Sequence, residues 1–138
     1  ILTLRPETMR KHPGQVSFPG GRLEPGEDVR TGALREAQEE IGLEPAAVTV
    51  IGTADPYATV TGFHVTPVIG VLPADAPLMP HVGEVAAMFE APLDYLLDPR
   101  HHVRRTVEWQ GRPRTFYEIL YGERRIWGAT AGMIVNLS

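Results

Sequence analysis

The sequence predicts one domain of the α/β or α+β class, built on a mixed sheet. Its 138 residues are enough for one hydrophobic core and too few for two full-sized ones. Hydrophobic residues make up 43% of the chain and charged residues 22%, which is ordinary for a soluble globular protein. Short segments of strand composition alternate with two helix candidates. We therefore expect a single domain over residues 1–138.

Six segments bounded by glycine, proline and polar residues are expected to form strands. They are residues 1–5, 15–18, 48–53, 63–72, 85–90 and 115–121. Pro67 lies inside one of them and indicates a sheet edge or a bulge, because proline cannot donate to a strand ladder. Residues 73–80 are rich in proline and predict a loop.

Val29–Ile41 is the strongest helix candidate. Asp28 is placed to cap its first turn, and Gly42 stands where a helix commonly ends in a left-handed residue. A second helix of small residues is expected over residues 128–137.

Composition excludes several classes of function. The net charge of −4 argues against a generally basic nucleic-acid surface. No apolar run approaches the roughly 18 residues of a membrane span, and the absence of cysteine excludes disulfides and a thiolate nucleophile. We expect a cytoplasmic monomer or homodimer with no nucleic-acid or membrane partner. Because Ile1 already has strand character, we also expect an N-terminal segment before it.

The first predicted helix concentrates acid on one face. At about 100° per residue, Glu36, Glu39 and Glu40 fall within a single arc, apart from the apolar side chains. Like charges at i,i+4 destabilise a helix by roughly 0.2–0.5 kcal/mol. A solvated acidic surface is one interpretation. The other is a site for a hard divalent cation, which binds carboxylates, and the Gly20–Gly21 turn could bring a backbone carbonyl to it.

The spacing around these glutamates resembles the signature of the Nudix hydrolases. Gly21 is followed after five residues by Glu27 and after seven more by the segment Arg-Glu-Ala-Gln-Glu-Glu-Ile-Gly-Leu at 35–43, which matches every fixed position. Ala37 is the smallest residue that fits the apolar position. The resemblance implies an α/β/α sandwich with a loop–helix–loop motif. It also implies Mg²⁺- or Mn²⁺-dependent hydrolysis of a nucleoside diphosphate linked to another moiety.

The resemblance also implies roles for individual residues. In the family, the glutamates that match Glu36, Glu39 and Glu40 bind the metal, together with the carbonyl of the glycine that matches Gly20. Glu27 and Arg35 are expected to brace the loop against the helix, and so to act on the geometry of the site.

The general base that activates water differs among family members, and two candidates stay open here. Glu39 lies on the signature helix, and Glu84 precedes a predicted strand. The alternative for Glu84 is a surface acid in a loop.

An upstream pattern resembles the extra motif of the coenzyme A pyrophosphatase subfamily. The matching positions are Thr3, Arg5, Arg10, Gly14, Phe18, Pro19, Gly20 and Gly21. Ile1 replaces the usual leucine, and Pro6 replaces a serine or alanine, which removes a backbone donor. This resemblance implies that coenzyme A or acyl-coenzyme A is cleaved to adenosine 3′,5′-bisphosphate and 4′-phosphopantetheine or its acyl form.

Basic residues before the catalytic loop are candidates for binding the 3′-phosphate of coenzyme A. They are Arg5, Arg10, Lys11 and His12, each with a solvated surface base as the alternative. Phe18 either lines the substrate pocket or belongs to the core. The His-His-Val-Arg-Arg segment at 101–105 is expected to be a solvated loop, with phosphate binding as the alternative.

Two other functions remain open. One is a Nudix pyrophosphatase for ADP-ribose, NADH or a (deoxy)nucleoside triphosphate. The other is a catalytically silent Nudix module that binds a nucleotide as a regulator.

Overall fold

The computed structural model of the chain describes residues 1–7 and 14–138. The strands of this part are β1 (Leu2–Leu4), β2 (Val16–Ser17), β3 (Thr49–Thr53), β4 (Tyr57–Ala58), β5 (His64–Val65), β6 (Val68–Val71), β7 (Ala87–Phe89), β8 (Val103–Trp109), β9 (Arg112–Tyr121) and β10 (Arg124–Trp127). The α-helices are α1 (Val29–Ile41), α2 (Leu93–Leu97) and α3 (Ala129–Leu137). Single 3₁₀ turns occupy Pro45–Ala47 and Pro99–His101.

A three-stranded sheet in the order β2-β1-β7 forms the middle layer. Successive side chains of a strand point to opposite faces, so β1 serves two cores. On one face, Leu2 packs with side chains of α2 and α3, including Leu96 and Ile134. On the other, Ile1 packs with Ala37 and Ile41 of α1. Helices therefore cover both faces, which confirms the predicted α/β/α sandwich.

A second three-stranded sheet, in the order β10-β9-β8, adjoins the core through one face. Ile119 of β9 and Ile126 of β10 are fully buried there. Thr130 at the start of α3 donates a hydrogen bond to the carbonyl of Val16 at 3.1 Å, which ties this part of the chain to the middle sheet.

All strand pairs within residues 1–7 and 14–138 are antiparallel. The parallel pairing that a mixed sheet also contains is not among them. Consecutive hairpins, as in β8–β9–β10, pair only in this way.

Strands β4 and β10 were not among the predicted strands, and the structure corrects three further details of the prediction. The expected strand over 63–72 is two strands separated at Pro67, whose carbonyl accepts from the amide of Ala54 at 2.9 Å. Helix α2 is an addition to the two predicted helices; with only five residues it is too short to show a helical period.

The third correction concerns residues 101–105, where β8 begins inside the expected loop. The two histidines there are half-buried and tie the end of α2. His101 Nδ1 lies 2.8 Å from the carbonyl oxygen of Tyr95, and His102 Nε2 lies 2.7 Å from that of Leu96.

In the described part of the chain, no helix has both the length and the hydropathy needed to cross a bilayer.

Candidate active site

Helix α1 carries the acidic face, and both of its ends are fixed by the expected residues. The side chain of Asp28 accepts a hydrogen bond from the amide of Thr31 at 2.8 Å, which satisfies one free donor of the first turn. Gly42 adopts a left-handed conformation, with φ 68°, and its amide bonds back to the carbonyl of Gln38. The predicted bounds of this helix are confirmed.

The loop before α1 is held to the helix by an ion pair. The guanidinium of Arg35 donates to both carboxylate oxygens of Glu27, at 2.8 and 2.9 Å, and to the carbonyl of Arg22 at 2.9 Å. Glu27 also accepts from the amide of Glu24 at 3.0 Å. Chiefly because of the Arg35 hydrogen bonds, the pKa of Glu27 falls to about 2. This two-pronged contact is the geometry that bracing of the loop requires.

Gly21 brings the loop into contact with the acidic face. A Cβ at this position would lie 2.5 Å from the carboxyl carbon of Glu36, closer than real Cβ contacts, so any side chain here would displace that carboxylate. The neighbouring Gly20 donates its amide hydrogen to Glu40 Oε1 at 3.0 Å. The turn thus positions two of the three signature glutamates.

Glu40 is half-buried beside other acids. Burial raises the pKa of Glu40 to about 7, and the charges of Glu36 and Glu84 add to that rise, while the amide of Gly20 opposes it. Such a carboxyl is held partly protonated near neutral pH unless a cation compensates its charge. Strongly perturbed acids in clefts are typical of functional sites.

Glu84 reaches the site because its loop is fastened to the end of α1. The amide of Met79 donates to the carbonyl of Ile41 at 2.7 Å, and the amide of His81 donates to that of Glu40 at 2.8 Å. Val85, 3% exposed, then anchors the segment in the core beside α1. The sequence placed Glu84 only ahead of a strand, and these long-range bonds bring it to the signature helix.

These side chains share one cavity of about 270 Å³. Its lining residues are Arg5, Gly20, Glu36, Glu39, Glu40 and Glu84. Arg5 is one of the two arginines of the upstream pattern. Its backbone is fixed by two hydrogen bonds, from its amide to the carbonyl of Gln15 at 3.0 Å and from the amide of Gly14 to its carbonyl at 3.1 Å. Elements far apart in sequence thus place four carboxylates and one guanidinium around a single space.

A second cavity, of about 400 Å³, adjoins the first and shares Glu39 with it. Its walls are Gln38, Gly42 and residues 79–83. Sequence reasoning missed this loop as part of the site. Its composition carries no chemical motif, and only the backbone bonds to α1 reveal its place.

The donor set fits a hard divalent cation, because carboxylate oxygens are the preferred ligands of Mg²⁺ and Mn²⁺. Within residues 1–7 and 14–138, however, no three acidic or histidine side chains already form a closed cation cage. Arg35 holds Glu36 at 3.0 Å and reaches Glu39 at 3.4 Å. Ligation would therefore require these carboxylates to rotate from Arg35 toward the cavity.

The remaining predicted substrate residues are placed differently. Phe18 is half-buried and packs against the core cluster on the α2–α3 side of the middle sheet, which favours its core interpretation. Arg10 and His12, like Lys11, lie outside the described residues, so their predicted contact with a phosphate stays a prediction.

The protein is an α/β/α sandwich with an acidic loop–helix–loop motif over an open cavity, which is the arrangement that the resemblance to the Nudix hydrolases implies. The model of the NUDIX domain matches residues 1–113, and the chain belongs to the Nudix family. Members of this family generally use divalent cations such as Mg²⁺ or Mn²⁺ and act on small nucleotide-derived substrates.

Curated relatives agree with this assignment. The chain is 42% identical over 139 residues to an uncharacterized Nudix hydrolase NudL of Cronobacter sakazakii, covering all of this chain and 72% of the relative. Proteins with the same name from Shigella boydii serotype 4 and Escherichia coli O1:K1 are 41% and 40% identical with the same coverage. These names identify a hydrolase family and leave the substrate open.

Proposed function

We propose that this chain is a Mg²⁺- or Mn²⁺-dependent diphosphatase of coenzyme A and its thioesters. Its products are adenosine 3′,5′-bisphosphate and 4′-phosphopantetheine or the acyl form. The proposal includes a single domain acting in the cytoplasm. One observation carries it: Arg5, from the upstream pattern, lines the same cavity as the four glutamates. Residues of two separate sequence patterns, the upstream coenzyme A motif and the hydrolase signature, thus line the same cavity.

The chemistry demands this mixture of charges. A diphosphate is anionic and repels an attacking hydroxide, and a bound divalent cation offsets that charge and lowers the pKa of water. Glu36, Glu39 and Glu40 would hold the cation. The guanidinium of Arg5 is suited to bind phosphate oxygens by charge-assisted hydrogen bonds.

Proton removal from the attacking water is assigned to Glu84 or Glu39. Glu39 lies 3.4 Å from the guanidinium of Arg35, whereas Glu84 approaches from a separate loop. The variants Glu84→Gln and Glu39→Gln distinguish the two. Loss of the base should abolish the acidic limb of the plot of kcat against pH. Loss of a ligand should instead raise the metal concentration needed for half-maximal rate.

The substrate is tested by incubating the protein separately with coenzyme A, dephospho-coenzyme A, ADP-ribose, NADH and nucleoside triphosphates. Mg²⁺ or Mn²⁺ is present, and the products are identified by mass spectrometry. We expect coenzyme A or an acyl-coenzyme A to have the highest kcat/KM. Faster turnover of ADP-ribose, NADH or a triphosphate would reject the substrate proposal and retain the hydrolase.

A catalytically silent nucleotide-binding module is the weaker proposal. Nothing in a purely binding function calls for four mutually repelling carboxylates around one cavity. Complete absence of turnover on all these compounds would favour it.

A further inference from the structure

Strand β8 lies at the edge of its sheet and has a free outer side. The sheet order is β10-β9-β8, and in the described part of the chain β9 is the strand that pairs with β8. All seven residues of β8 are exposed. An exposed strand edge carries unpaired amides and carbonyls, which favour pairing with another strand.

The hairpin geometry identifies which backbone groups face outward. Gln110 and Gly111 form a two-residue turn with φ of 50° and 75°, so the flanking pair Trp109–Arg112 exchanges hydrogen bonds. Bonding alternates along the ladder, so odd-numbered residues of β8 bond to β9. Pro113 lies opposite Glu108 and has no amide hydrogen, so these two residues cannot form a hydrogen-bonded pair. This agrees with bonding to β9 at the odd-numbered residues of β8. Arg104, Thr106 and Glu108 therefore direct their amides and carbonyls to the free edge.

The geometry points to a homodimer in which β8 pairs antiparallel with β8 of a second copy, around a two-fold axis at Thr106. In this register, Arg104 stands opposite Glu108 of the partner subunit, and the symmetry repeats that opposite-charge pair. Val103 stands opposite Trp109 of the partner subunit on the other face. The three outward-facing residues of each strand then bond to their counterparts, as an isologous interface requires.

Other registers are less favourable. A shift of one residue sets outward-facing groups against residues already bonded to β9, so the bonds cannot form. Even shifts in one direction place Arg105 or Arg104 opposite its own copy, and like charges directly opposite each other are destabilising. In the other direction, the first even shift loses both opposite-charge pairs. The next even shift places Glu108 opposite Glu108 of the partner subunit. Among these registers, only the one centred on Thr106 forms both opposite-charge pairs and sets no like charges directly opposite each other.

The second face of β8 supplies apolar contact. Val103, Val107 and Trp109 are 37%, 47% and 45% exposed in the single chain, and pairing would cover part of each. Arg105 lies between them, and its guanidinium is 3.2 Å from the carboxylate of Glu118, which it shares with Arg125.

The dimer is tested by sedimentation equilibrium of the full chain over a range of concentrations. Wild type should show a monomer–dimer equilibrium. Arg104→Glu and Glu108→Arg each convert both opposite-charge pairs into like-charge pairs, and each should raise the dimer Kd by about tenfold or more. An equimolar mixture of these two variants restores opposite charges at both positions and should form a heterodimer with a Kd close to that of wild type.

The mixture is the decisive arm, because its components are the same folded proteins that fail to pair alone. Thr106→Pro removes an outward amide without touching the bonds to β9, and it should also prevent pairing, while Thr106→Ser should not. A monomeric wild type at every concentration would overturn the proposal. So would a dimer indifferent to the single charge reversals, or a mixture that stays as weak as its components.

Discussion

Glu118 and Glu40 are two acids with restricted access to water, and the protein treats them in opposite ways. Glu118, 5% exposed, lies between Arg105 and Arg125, and the hydrogen bonds from Arg125 and then Arg105 lower its pKa. Glu40 lies beside Glu36 and Glu84, and its pKa rises to about 7. The first acid is compensated within the fold, whereas the second is crowded by like charge.

This difference separates structure from function within one small domain. A compensated acid joins two strands to a third and stabilises the sheet. A crowded acid lowers stability, which is the cost expected of a carboxylate that holds a cation, the role proposed for Glu40. The two glutamates therefore predict opposite consequences when their charge is removed.

Removal of charge at Glu40 should have the largest effect on activity. Glu40→Gln keeps the shape and removes a proposed cation ligand, so kcat should fall by more than the roughly 10–100-fold typical of groups that only orient ligands. The midpoint of thermal unfolding should stay the same or rise, because repulsion is relieved. Activity assays and calorimetry check both. Glu44→Gln, an exposed acid just beyond the same helix, is the matched control and should match wild type. Wild-type turnover in Glu40→Gln would contradict the cation role.

Weakening of the Arg35–Glu27 ion pair should have the next largest effect on activity. Arg35→Lys keeps a positive charge but loses the two-pronged contact with Glu27, so we expect a loss of roughly 10–100-fold in kcat/KM. Because the carboxylates remain, saturating Mn²⁺ should recover more of the rate in Arg35→Lys than in Glu40→Gln, which lacks a proposed ligand even at saturation. Titration of the rate with Mn²⁺ makes the comparison. Equal recovery in both variants would remove the distinction between bracing and ligation.

Removal of charge at Glu118 should change stability without changing turnover. Glu118→Gln leaves Arg105 and Arg125 without the negative charge that they share, and with one carboxylate oxygen fewer as acceptor. Since both arginines are about half exposed, the expected loss is only about 1–2 kcal/mol in the free energy of unfolding. Urea unfolding monitored by tryptophan fluorescence measures it. A large loss of kcat in this variant would show that the β8–β10 sheet takes part in the reaction.

Local signals were enough to predict α1 and its acidic face, but they could not predict the long-range contacts of the site. Asp28, Gly42 and the spacing of Glu36, Glu39 and Glu40 are all read within one segment, and the helix bounds follow from them. The place of Glu84 depends on backbone bonds from Met79 and His81 to the end of α1, which no local pattern encodes.

The hairpin shows the same limit. Strand β8 alternates apolar and polar residues except at Arg105, and none of its residues is buried, so the signal for a strand is weak. Its partner β9 imposes the extended conformation. The function of Phe18 was open for a related reason: a lone aromatic residue beside a glycine turn does not reveal which side of the sheet it faces, and the structure sets it in the core.

The pH dependence of stability should give the smallest effect and separate the two acids by sign. The pKa of Glu40 rises from 4.5 to about 7, so the folded state binds more protons than the unfolded state in that range, and stability falls as pH rises through it. Glu118 has a lowered pKa, so its contribution is present above about 4.5 and is lost as pH falls below that value.

In metal-free buffer, the difference in Tm between Glu40→Gln and wild type should therefore grow by a few degrees from pH 5 to pH 7, since 1 kcal/mol corresponds to roughly 4 °C in a domain of this size. The difference between Glu118→Gln and wild type should instead shrink below pH 4.5. Calorimetry across this range measures both. A Glu40→Gln difference that is constant with pH would mean that this carboxyl is not crowded by its neighbours, and the contrast between the two acids would fail.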